Sequence, residues 1–126
     1  MQRFTYTPAE FGRSPMIVFY ETTRACNLKC VHCRADAQRL RHPDELDTHK
    51  ARLLIDQLTC FPSPPLLVLT GGDPIKRDDV FELIEYARSR GLSVAMTPSA
   101  TPLVTTEVIE RLKAYLCVVK DAEKAL

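Results

Sequence analysis

Three cysteines fall within eight residues, Cys26-Asn27-Leu28-Lys29-Cys30-Val31-His32-Cys33, in the spacing C-x3-C-x2-C. Thiolates are soft donors, and three on a short loop can wrap one face of a metal centre. The number three carries information. Structural zinc closes on four protein ligands, whereas a 4Fe-4S cluster held by three cysteines keeps one iron open. An open iron takes an outside ligand, and chemistry happens there. Two other readings of the same residues stand beside this one. One is a zinc site completed by His42, or by His32, which adjoins Cys33. The other is a set of reduced thiols with no metal. Against zinc, no second C-x-x-C follows to complete a zinc ribbon. Against bare thiols, cysteines packed this closely in a polar loop have no core to fill.

Two further segments are chemically unusual. Thr70-Gly71-Gly72-Asp73-Pro74 places adjacent glycines after an apolar run. Paired glycines permit backbone angles and close approaches that a side chain would block. A plain strand-to-helix turn needs no more than that, and a phosphate loop would need a Gly-Lys-Ser/Thr ending that is absent. Thr97-Pro98-Ser99-Ala100-Thr101-Pro102 offers hydroxyls in a turn-forming context. The remaining cysteines, Cys60 and Cys117, lie in apolar surroundings and read as small buried hydrophobes.

Positioning these segments requires elements on either side of them. Met16 to Tyr20 is a β-rich apolar run and reads as a first strand. Ala51, Leu54, Ile55 and Leu58 recur at helical spacing, which predicts a helix over Thr48–Thr59, capped by Asp47 or Thr48 and ended by the proline-rich Phe61–Pro65. Leu66 to Leu69 is apolar at every position, as in a parallel strand covered on both faces. Val80, Leu83, Ile84 and Ala87 give a second helix, capped near Asp78 and stopped by Gly91. Leu92 to Met96 is a third strand, and a third helix starts near Thr105. Leu116 to Val119 is a candidate fourth strand.

This order of strand, loop and helix, three times over, predicts an α/β fold with a parallel sheet and right-handed crossovers. Each unusual loop then follows the C-terminal end of a strand. Those ends share one edge of a parallel sheet, where α/β proteins build their sites. The three loops are therefore expected to be neighbours in space.

Bulk composition is unremarkable for such a fold. The chain has 126 residues and a net charge of +1, which calls for neither nucleic acid nor an anionic membrane as partner. An N-terminus without an apolar core predicts no signal peptide, so the expected location is the cytoplasm.

Taken with its surroundings, Glu21-Thr22-Thr23-Arg24-Ala25-Cys26 through Cys33, the cysteine motif directly after a first strand resembles the signature of the radical S-adenosylmethionine (SAM) superfamily. It is similar to the branch holding molybdopterin, haem-maturation and peptide-modifying enzymes of the SPASM type. The resemblance covers roughly Met16 to Ala114. It implies that Cys26, Cys30 and Cys33 hold a 4Fe-4S cluster whose open iron chelates SAM. It implies reductive cleavage of SAM to a 5′-deoxyadenosyl radical that takes hydrogen from a substrate, which is not named by these residues. Gly71, Gly72, Asp73 and Pro74 correspond to a Gly-Gly-Glu-Pro motif that meets the SAM amino group; here Asp73 replaces Glu, with the charge kept and the reach one methylene shorter. His32 falls where an aromatic residue or His lies beside adenine. Thr97 and Ser99 fall where polar groups approach SAM. Arg24, Lys29 and Arg34 are candidates to offset cluster charge from outside. A reductant such as flavodoxin or ferredoxin is implied as a partner.

On this resemblance residues 1–15 are an N-terminal extension. Residues 16–126 are an incomplete core, the first half of a partial (βα)6 TIM-like barrel. Tyr115 to Asp121 suits a fourth strand only loosely, and the glycine common before it is absent. The expectation is a truncated or frameshifted chain, or a fragment, with limited solubility, self-association through an open sheet edge or reliance on a partner. Its function is either radical SAM catalysis or non-catalytic cluster binding, with a zinc-stabilised interaction module as the remaining alternative.

Overall fold

A computed structural model describes residues 7–115 of the chain. A one-turn helix, α1 (Pro8–Phe11), precedes β1 (Ile17–Thr23). Then come α2 (Thr48–Leu58), β2 (Leu66–Gly71), a 3-10 turn (Pro74–Lys76), α3 (Val80–Ser89), β3 (Val94–Met96) and α4 (Thr106–Tyr115). The strands form one parallel sheet in the order β1-β2-β3. Alternation of strand and helix around a parallel sheet is the α/β arrangement expected. The candidate fourth strand, Leu116–Val119, and Cys117 lie outside the described residues.

The helices form where the periodicity places them because their apolar stripes have a sheet face to cover. Ala51, Ile55 and Leu58 of α2 and Val80, Leu83, Ile84 and Ala87 of α3 are buried against Tyr20, Leu67, Leu69 and Val94. Asp47 caps α2 by accepting from Lys50 N at 2.8 Å. Alternation then puts Ile17, Phe19 and Glu21 of β1 on the opposite face, where Phe19 is 66% exposed.

Four expectations need correction. β3 starts at Val94 rather than Leu92, because Leu92 N still closes the end of α3 on Ala87 O. β1 runs on to Thr23 rather than ending at Tyr20, because its polar end still pairs with β2: Glu21 opposes Thr70 and Thr23 opposes Gly71. The register slips there by one residue, a bulge at Thr22, whose hydroxyl donates to Thr70 O at 3.1 Å. The N-cap position of α3 is Asp79, not Asp78, and its side chain makes no capping bond. That carboxylate is engaged instead by Arg77 and by the Thr48 hydroxyl at 2.6 Å. Cys60 is exposed, not buried, since it follows the end of α2 in a turn, with its thiol donating to Asp56 O at 3.6 Å.

Candidate metal and cofactor site

The three loops do converge. Where β2 ends, Gly71 has φ +128°, a value that glycine adopts freely. A Cβ on Gly71 would lie 2.4 Å from Thr23 O, and one on Gly72 would lie 2.5 Å from Ala25 O. Both glycines thus admit the backbone leaving β1. That contact is cemented by Gly72 N to Thr23 O and Asp73 N to Ala25 O, each 2.7 Å. From the third loop, Ser99 Oγ donates to Gly72 O at 2.9 Å and lies 3.5 Å from Cys26 Sγ. Thr97 Oγ1 donates to Thr70 Oγ1 at 2.9 Å.

Asp73 is fully buried. Its carboxylate accepts from Ile75 N at 3.1 Å, from Ser99 N at 3.5 Å and from Thr101 Oγ1 at 3.3 Å. The first of these bonds caps the 3-10 turn, which Pro74 opens. The Asp-Pro pair is a helix-start signal that sequence reading had available and did not use.

The cysteine loop is closed at its base by backbone. Ala25 and Gln38 form a parallel bridge, with Cys26 N donating to Gln38 O at 2.7 Å and Gln38 N to Arg24 O at 2.8 Å. Arg24 Nη2 donates to Asp36 Oδ2 at 2.7 Å and to Asp36 O at 3.1 Å. Arg24 is therefore a brace within the loop. Asp36 has φ +46°, a left-handed conformation that Asp tolerates better than most residues. Lys76, from the turn after the glycines, donates to Asn27 Oδ1 at 2.8 Å and to Arg39 O at 3.2 Å.

Above this base the thiols diverge in setting. Cys26 is buried, whereas Cys30 and Cys33 are exposed. Leu28 N donates to Cys26 Sγ and Ala37 N to Cys33 Sγ, both at 3.4 Å. Amide donors to sulfur tune metal–sulfur centres. A cleft of about 320 Å³ borders Cys30 and Cys33, with Leu28, Lys29 and Asp36 in its wall. A second cleft, about 300 Å³, crosses the strand ends: Glu21, Thr70, Gly71 and Thr97 line it, and Cys33 and Arg34 close one side. His32 is exposed and lines neither.

This donor set fits an iron–sulfur cluster. Among the described residues no three His, Cys, Asp or Glu side chains are gathered to hold one metal ion. A four-iron cluster needs no such point, since each thiolate binds a different iron. His42 Nδ1 accepts from Asp44 N at 3.1 Å.

Two residues missed by sequence reading hold the surroundings. Arg77, 6% exposed, donates to Thr22 O at 2.9 Å and to Tyr20 OH at 3.4 Å, and pairs with Asp79. Glu45 accepts from Arg24 N, His42 N and Thr23 Oγ1. Burial pushes the Glu45 carboxyl up, but those bonds and the Arg41 charge outweigh it and hold the group below the usual range.

The family model of the radical SAM superfamily matches residues 20–119. The chain belongs to the radical SAM superfamily. It is 46% identical over 100 residues to an AdoMet-dependent heme synthase of Nitratidesulfovibrio vulgaris, covering 78% of this chain and 26% of that protein. It is 41% identical over 97 residues to an Fe-coproporphyrin III synthase of Methanosarcina barkeri, covering 77% and 24%. A mycofactocin maturase of Mycobacterium tuberculosis is 35% identical over 101 residues, covering 80% and 25%. The chain spans about a quarter of the length of these curated relatives. Membership of the superfamily agrees with the resemblance drawn from the cysteine motif.

Proposed function

We propose that this chain holds a 4Fe-4S cluster through Cys26, Cys30 and Cys33 and binds SAM across the strand ends. Residues 16–126 are then the leading half of a (βα)6 partial barrel, and residues 1–15 an extension before it. The observation that carries the reading is the convergence of three loops on Cys26, Gly72 and Ser99, with two exposed thiols beside it. When bound, the cluster supplies the electron that breaks a carbon–sulfur bond of SAM, giving methionine and a 5′-deoxyadenosyl radical that takes hydrogen from the substrate. The chain's own residues bind and orient. Cys30 and Cys33 are open to ligation, and Cys26 is fixed by the Leu28 amide and Ser99. Gly71 and Thr97 front the cleft in which SAM lies, with Gly72, Asp73 and Pro74 fixing the turn behind it. Ser99 orients the Gly72 carbonyl.

The names of two relatives make an iron or free porphyrin precursor the first substrate class to try. A protein reductant, a flavodoxin or ferredoxin, completes the reading. The test is anaerobic reduction of the cluster-loaded chain with dithionite in the presence of SAM. The expected product is 5′-deoxyadenosine, absent in Cys30→Ala. A loaded wild type that releases none would reduce the reading to cluster binding alone.

A further inference from the structure

The cysteine loop lies between the end of β1 at Thr23 and the start of α2 at Thr48. One side chain fastens its two limbs. Glu45 Oε1 accepts from Thr23 Oγ1 at 3.0 Å and from Arg24 N at 2.8 Å, on the limb leaving the strand. The same oxygen accepts from His42 N at 2.9 Å, on the limb returning to α2. Its second oxygen faces Arg41 Nε at 3.4 Å, and the side chain is 9% exposed, so water competes poorly for these donors.

The connection to the thiols is short. Arg24, held by Glu45, accepts from Gln38 N through its carbonyl and grips Asp36 through its guanidinium. Gln38 O in turn receives Cys26 N. Removing Glu45 leaves the Arg24 and His42 amides without this acceptor and frees the residue that sets the Ala25–Gln38 bridge. The donors to Glu45 lie outside α2 and α3, whose residues Ile55, Leu83 and Ile84 pack with one another in the core.

We infer that Glu45 is a positioning residue that latches the cysteine loop, holding the three thiols in register for the group they bind. The inference rests on the cluster reading above. Its test is made on the full chain with Glu45→Ala and Glu45→Gln. Gln keeps an acceptor at the Oε1 position and gives up only the Arg41 contact, so it serves as the conservative rescue. In the metal-free proteins, Glu45→Ala should speed hydrogen exchange at the Arg24 and His42 amides by about tenfold or more, leaving Leu83 and Ile84 unchanged. After anaerobic loading, Glu45→Ala should lose iron to a chelator about tenfold faster than wild type, and Glu45→Gln within about threefold of it. The inference is overturned by wild-type exchange at Arg24 and His42, by equal acceleration in α3, or by a Gln variant no better than Ala. A wild type that takes up no iron fails the cluster reading alone, and the exchange rates still decide the latch.

Discussion

Gly72 shows what a residue-scale reading reaches. The adjacent glycines after β2 announce a close approach, and the partner proves to be the protein's own backbone as it leaves β1. A Cβ on Gly72 would stand 2.6 Å from Arg24 O as well as 2.5 Å from Ala25 O, and backbone atoms cannot swing aside. Gly72→Ala should therefore cost about 1–3 kcal/mol by urea unfolding. Gly12→Ala, whose Cβ would meet nothing closer than 3.9 Å, should stay within about 0.5 kcal/mol of wild type. Equal midpoints for the two variants would show that the loops do not press together as described. Glu45 had no comparable signal. A single acid in a polar stretch has no periodicity, and two of its three donors, Thr23 and Arg24, lie 22 and 21 residues away and meet it only on folding. Asp73 was legible as an acid beside the site and, with Pro74, as a cap, but its role as acceptor from the third loop was not.

At the scale of elements, strand and helix order was legible because burial imposes a period on each segment. Ends were less so: the bulge at Thr22 lets a polar Glu21-Thr22-Thr23 continue a strand that hydrophobicity alone would stop at Tyr20. Arg77 and Asp79 form the joint between elements. Arg77 reaches back to Thr22 O, while Asp79 takes Thr48 at the start of α2. Burial pushes the Asp79 carboxyl up, but the bonds from Arg77 and Thr48 and the Arg77 charge outweigh it, and the group is held below its ordinary value of 3.8. Its contribution to stability is thus complete above that value and is lost as pH falls through the lower folded one. Asp79→Ala should destabilise by about 3 kcal/mol at neutral pH, because it strands a buried guanidinium. Asp79→Asn should flatten the acid side of the stability–pH curve. A curve in Asp79→Asn that parallels wild type below pH 3.8 would remove Asp79 from this role.

At the scale of the molecule, the sheet buries one face under α2 and α3 and presents Ile17 and Phe19 on the other. All three chemically unusual loops share its C-terminal edge, as the parallel order requires. No helix among the described residues is long and apolar enough to cross a membrane. The chain spans about a quarter of the length of its curated relatives. The central claim is that three cysteines on one loop hold a four-iron cluster. It is tested most directly by anaerobic reconstitution with iron and sulfide, then an iron count and a visible spectrum for wild type and Cys30→Ala. The account predicts a brown protein with about four irons per chain, and loss of both colour and iron in the variant. A colourless wild type, or one that purifies with a single zinc, would contradict it.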